Sequence, residues 1–76
     1  MSKTREPPRI EYDPEANAAY IYFTEEILAG SVTRTVCVDP TEIGGMVNLD
    51  LDSEGRIIGL EVLDARQLLP RDILLT

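Results

Sequence analysis

The residues best suited to do chemistry in this chain lie in the run DLDSEGRIIGLE, from Asp50 to Glu61. Asp50, Asp52, Glu54, Gly55 and Glu61 fall at the first, third, fifth, sixth and twelfth places of an EF-hand loop, which cages calcium with carboxylate oxygens. A second acidic group, Glu11, Asp13 and Glu15, has the residue types for paired-carboxylate acid–base work. Cys37 is the single thiol and the best nucleophile on offer. Each of these chemistries depends on the elements that would have to hold the groups in place.

Those elements read as strands. After a polar stretch with Pro7-Pro8, expected to be a flexible tail over residues 1–9, a short extended segment at 10–12 runs into Asp13-Pro14-Glu15-Ala16-Asn17. Proline pre-sets the first turn dihedral and asparagine tolerates a left-handed backbone, so this is a hairpin turn. Residues 18–23, rich in Tyr and Ile, form the next strand, and 31–38 follow as a third. Residues 24–30 fit either one helical turn or a loop. Residues 46–51 and 56–63 form two more strands, joined at 52–55. Asp64 would cap a helix through residue 69, its side chain accepting from a first-turn amide, with one more turn at 71–75. Leu68, Leu69, Ile73, Leu74 and Leu75 are too apolar to stand in water and must cover one side of the sheet. The fold class expected is therefore α+β: a small five-stranded antiparallel sheet, largely a meander, with a short C-terminal helix on one face. Residues 10–76 form one small domain.

This reading removes the EF-hand. Its incoming helix would run through Gly44-Gly45, which costs about 2 kcal/mol relative to alanine. A hairpin turn at Asp52-Ser53-Glu54-Gly55, with Gly55 left-handed in a bulge, predicts instead that Leu51 faces Arg56, Leu49 faces Ile58 and Val47 faces Leu60. Val47, Leu49, Leu51, Ile58, Leu60 and Val62 then share one side. Met46, Asn48, Asp50, Ile57, Gly59 and Glu61 take the other. Glu61 would lie four residues past the partner of Asp50, about 13 Å along the strand, too far to close a cage. No metal site is assigned; weak cation contact at Asp50 and Asp52 stays open.

The pieces Tyr12-Asp13-Pro14-Glu15-Ala16, Tyr20-Ile21, Asp50-Leu51-Asp52-Ser53-Glu54-Gly55 and Gly59-Leu60-Glu61-Val62-Leu63-Asp64-Ala65 resemble the DUF2283 family of small bacterial domains of unknown function. The resemblance covers roughly residues 10–66. The chain departs from the family pattern at Asn17, where aspartate is frequent, and in a longer connection around residues 40–45. The resemblance implies a small antiparallel sheet domain with no established activity and no catalytic residues to carry over. It also raises an antitoxin-like role beside a small basic toxin.

Composition narrows the function classes. Seventy-six residues make one domain with a thin core, since so short a chain buries only about 60% of its unfolded surface. The absence of histidine leaves Cys37 and every serine without the usual activating base, so no enzyme is expected. Cys37 then reads as a small buried or half-buried hydrophobe, and the acidic group at 11–15 as a solvated turn. One cysteine and no histidine exclude a four-ligand zinc site, and no cofactor is expected. Fourteen acidic against seven basic residues, a net charge of −7, oppose nucleic-acid binding. No apolar run is long enough to span a membrane, and the lone thiol without an export signal points to the cytoplasm.

What is left is a contact surface. With Ile21 and Phe23 turned to the core, Tyr20 and Tyr22 point away from it, beside Thr33, Thr35 and Cys37. Tyr20, Tyr22, Met46, Ile57 and Glu61 are the candidate partner-binding residues, because the face they share is less polar than a fully solvated one needs to be and tyrosine and methionine are enriched at interfaces. The function expected is a non-catalytic protein–protein interaction or regulatory accessory domain, the partner being a second copy of the chain (a homo-oligomer) or a basic protein. Weak binding of a metal or small ligand is the remaining alternative.

Overall fold

In the computed structural model, which describes residues 8–74, the Asp13 carboxylate organises the first turn. Its Oδ1 accepts from the amides of Glu15 at 3.1 Å and Ala16 at 3.4 Å, and Asn17 exits with φ 55°. This turn joins β1 (Arg9–Asp13) to β2 (Ala18–Tyr22). The remaining strands are β3 (Arg34–Cys37), β4 (Val47–Leu51) and β5 (Ile57–Leu63). Of the tail expected over residues 1–9, residues 1–7 lie outside those described, and Arg9 already opens β1. Leu75 also lies outside them.

The strands form one antiparallel sheet in the order β1-β2-β5-β4-β3. It is largely a meander, with β1 beside β2 and β3, β4 and β5 in sequence. The one departure is that β5 returns to pair with β2, which makes the most apolar strand the central one. β3 is shorter than the expected 31–38. Its partner β4 ends at Leu51, opposite Arg34, so the residues before Arg34 would face the turn rather than a strand.

The second hairpin has the predicted turn and a different register. Gly55 has φ 80°, a left-handed value suited to glycine, and its amide donates to the Asp52 carbonyl at 3.0 Å. Asp52 Oδ1 accepts from the amides of Glu54 and Arg56, each at 2.9 Å. The Arg56 amide first, and then that of Glu54, holds the Asp52 carboxyl below the ordinary aspartate range. The Asp52 amide in turn donates to the Arg56 carbonyl at 2.9 Å, so Arg56 sits across from Asp52 rather than from Leu51. A bulge beyond Leu51 adds another step. Leu49 therefore faces Leu60, Val47 faces Val62 and Asp50 faces Gly59. The expected pairing was two residues short along most of the hairpin. From Asp50 back to Val47 the slip is two, which keeps those side chains on their expected faces while changing their partners. At Leu51 the slip is one, so Leu51 and Ile57, expected on opposite faces, are paired with each other.

One face is covered by α2 (Ala65–Leu68) and α3 (Arg71–Leu74). Ala19, Val62 and Ala65 are buried at the centre, with Leu68, Leu69 and Leu74 packed around them. The capping expected of Asp64 does not occur. Asp64 takes a left-handed conformation, φ 61°, and its side chain makes no capping bond. Asn17, from the first turn, does the work instead: its carbonyl accepts from the Ala65 amide and its Oδ1 from the Arg66 amide, both at 2.9 Å. The 24–30 segment, left between helix and loop, is irregular. The connection at 40–45 contains a one-turn helix, α1 (Pro40–Ile43), capped by Asp39 Oδ1 accepting from the Thr41 amide at 3.0 Å. No helix among the described residues is long and apolar enough to cross a membrane.

Candidate functional site

The side of the sheet turned away from α2 and α3 is built by alternation. Glu11 faces Tyr20, Tyr20 faces Glu61 and Glu61 faces Asn48, while Tyr22 faces Gly59, Gly59 faces Asp50 and Asp50 faces Thr35. Two rows of side chains thus cross the sheet, and polar contacts tie them together. The Tyr20 hydroxyl donates to Asp50 Oδ2 at 2.5 Å, and Thr35 Oγ1 donates to Asp50 Oδ1 at 2.7 Å. Asn48 Nδ2 donates to Glu61 Oε1 at 3.0 Å. At the β1 edge the Tyr22 hydroxyl donates to Glu11 Oε1 at 3.2 Å, and the Arg9 guanidinium lies 4.0 Å from the Tyr22 ring centroid. The Tyr20 and Tyr22 rings stand 4.8 Å apart at 50°.

Gly59 makes possible the contact that spans the most strands, from Tyr20 to Asp50. Tyr20 extends from β2 across β5 to reach β4, and its ring passes directly over Gly59. A Cβ there would overlap the Tyr20 hydroxyl and lie 2.6 Å from Cζ. A glycine inside a strand commonly marks such a close approach. Burial first, then the bond to Asp50, pushes the Tyr20 hydroxyl's pKa well above the ordinary 10.0.

That shift has a sign. A native pKa above the unfolded one contributes stability that is complete below pH 10 and is lost as pH rises through the native value. Gly59→Ala should swing the Tyr20 ring out toward solvent, breaking the bond to Asp50 at a cost of about 1–2 kcal/mol. Urea unfolding at neutral pH and above pH 10 measures both effects. The variant should be weaker at neutral pH and lose less of its remaining stability in alkali than the wild type. An unchanged alkaline slope would show that the ring stays in place.

Beside this network is an open hollow of about 500 Å3, lined by Glu11, Tyr12, Asp13, Ala18, Ala19, Tyr20, Asp50 and Glu61. Four of these are carboxylates and none is a cation. Of the expected partner-binding residues, Tyr20, Tyr22 and Glu61 come together here. Met46 and Ile57 do not join them: Met46 precedes β4 beside Leu63, whereas Ile57 stands at the other end of the hairpin, opposite Leu51. Both are exposed. Asp50, Glu11 and Thr35 also belong to this network, although the expected partner-binding set does not include them: in sequence Asp50 reads as a calcium ligand, Glu11 as a paired carboxylate, and Thr35 only as a neighbour of the tyrosines. Their signal was alternation alone, and the contact that joins Asp50 to Tyr20 is a diagonal one. Cys37, expected to be at least half buried, is exposed, because its strand is the last of the sheet.

The run from Asp50 to Glu61 is a strand hairpin, so the paired helices that orient an EF-hand's ligands are replaced by β4 and β5. The separation used against calcium shrinks, since Glu61 is two residues past Gly59, about 7 Å along the strand. The flanking strands and the engagement of both Asp50 oxygens now carry that point.

Fold and face together define a small α+β domain, a five-stranded antiparallel sheet backed by short helices on one side and open on the other. Residues 9–66 match the family model described as a protein of unknown function (DUF2283), and the chain belongs to that family. Neither the curated proteins nor the solved structures gave a match.

Proposed function

We propose that the domain is a non-catalytic interaction module whose open face takes a lysine- or arginine-bearing segment of a basic protein. The observation that carries this reading is the hollow beside Tyr20, whose lining holds four carboxylates. Asp50 is held by Tyr20 and Thr35, and Glu11 is met from outside the lining by Arg9 at 3.6 Å, which leaves Asp13 and Glu61 without a cation in that lining. Tyr20 and Tyr22 add flat aromatic surface of a kind that both buries well and stacks on guanidinium groups. The network through Asp50 and Thr35 fixes Tyr20 in advance, so little side-chain freedom is lost on binding. Arg9 over the Tyr22 ring is the same contact made within the chain. The net charge of −7 speeds the approach of such a partner, and the lack of histidine supports a role without catalysis.

Calorimetry with a short Lys/Arg peptide tests this, provided that site and general charge are separated. The Glu11→Gln/Glu61→Gln variant should lose about tenfold in affinity. The Glu25→Gln/Glu26→Gln variant removes the same charge away from the hollow and should lose less than about twofold. Equal losses in the two variants would refute the assignment.

A further inference from the structure

The two edges of the sheet are unequal. β1 carries charge at every second residue, Arg9, Glu11 and Asp13, which guards an edge against another strand. β3 reads RTVC, with one charge, and all four residues are exposed. The Val38 amide donates to the Val47 carbonyl at 2.9 Å, and Val36 is paired two residues before it with Leu49. The backbone of Val36 and Val38 therefore turns toward β4, and that of Thr35 and Cys37 toward the free edge. Val36 is 37% exposed although it shares a face with Leu49 on the helix-covered side.

We propose that β3 pairs antiparallel with β3 of a second copy about a two-fold axis through Val36, joining two sheets into one. The charges of residues 33–39 favour this register, because Arg34 lies near the start and Asp39 closes the run. An antiparallel pair centred on Val36 brings the Arg34 end of each copy to the Asp39 end of the other. Centring on Thr35 would set Arg34 opposite Val36 and leave Asp39 beyond the pair. A parallel pair would set like charges side by side. In the proposed register Thr35 and Cys37 exchange backbone hydrogen bonds with Cys37 and Thr35 of the other copy. The two Val36 side chains meet on the helix-covered side. So short a strand buries well under about 1,000 Å2, so the association is weak and depends on concentration.

Sedimentation equilibrium in high salt, where repulsion between two copies of charge −7 is screened, reads the mass directly. The average mass should rise toward the dimer as concentration approaches about 1 mM. Cys37→Pro deletes an outward amide that β4 does not use, and should leave a folded monomer. Val36→Cys in a Cys37→Ser background should be trapped as a covalent dimer by mild oxidation. The facing Cα atoms of a non-hydrogen-bonded pair, about 4.5 Å apart, are within disulfide reach. Thr35→Cys in the same background should be trapped several-fold less. A monomer at every concentration overturns the proposal, as does a dimer that persists in folded Cys37→Pro. Trapping at Thr35 equal to that at Val36 also overturns it, and it decides the matter should Cys37→Pro fail to fold.

Discussion

Val62→Ala should destabilise the domain by about 2–3 kcal/mol, a large share of the total for a chain of this size. Val62 is 1% exposed at the middle of the sheet, paired with Ala19 on β2 and Val47 on β4. Ala65, at 0% exposure, belongs to the same buried cluster. Two of its buried neighbours are thus alanines, with no side chain able to swing into the space left by the lost methyl groups. The transfer loss is then compounded by a cavity that these two neighbours cannot fill, leaving the surrounding half-buried side chains, Leu68, Leu69 and Leu74 among them, to close in on it. Urea unfolding should show a lower midpoint at an unchanged slope, since the surface exposed on unfolding hardly alters. Leu28→Ala supplies the contrast: at 62% exposure it should shift stability by no more than about 0.5 kcal/mol. If Val62→Ala behaved like Leu28→Ala, the packing centre of the domain would have to lie elsewhere.

Local signals in the chain were reliable where a single residue type decides the geometry. Pro14 and Asn17 mark the first turn, Gly55 the second, and the alternation from Val47 to Leu51 divides the sheet into its faces. The alternation also gave Tyr20, Tyr22 and Glu61 as neighbours on the open side. What it does not encode is which residue stands opposite which. The Asp52 carboxylate draws in the amide of Arg56, and the bulge past Leu51 inserts another residue, so the hairpin slides by two. Met46 and Ile57 were placed with the tyrosines by parity alone, and parity says nothing about distance along a strand. The pairing of β2 with β5 is non-local and carries no signal in either strand. The Tyr20–Asp50 bond depends on that pairing, and so does the hollow beside it.

The same non-local order decides how α2 begins. Asn17→Ala should cost about 2–3 kcal/mol, combining two losses of different kind. At φ 55° an alanine side chain crowds its own backbone, at about 1–2 kcal/mol. The Arg66 amide also loses its acceptor, Asn17 Oδ1, a capping bond of about 0.5–2 kcal/mol. Three substitutions separate these terms. Asn17→Asp keeps an acceptor oxygen and a residue type that tolerates the left-handed region, so it should be nearly neutral. Asn17→Gly relieves the backbone but leaves the amide unpaired, and should fall between aspartate and alanine. The Arg66 side chain reaches back to the Tyr12 hydroxyl and the Pro14 carbonyl, each at 3.3 Å, so a loosened α2 also frees the turn that carries Asp13 and the rim of the acidic hollow. Amide exchange at Arg66 should therefore accelerate in the alanine and glycine variants and stay slow in the aspartate one. Fast exchange in all three would mean that the bond from Asn17 does not hold the helix start, and that Asp64 or solvent meets that need instead.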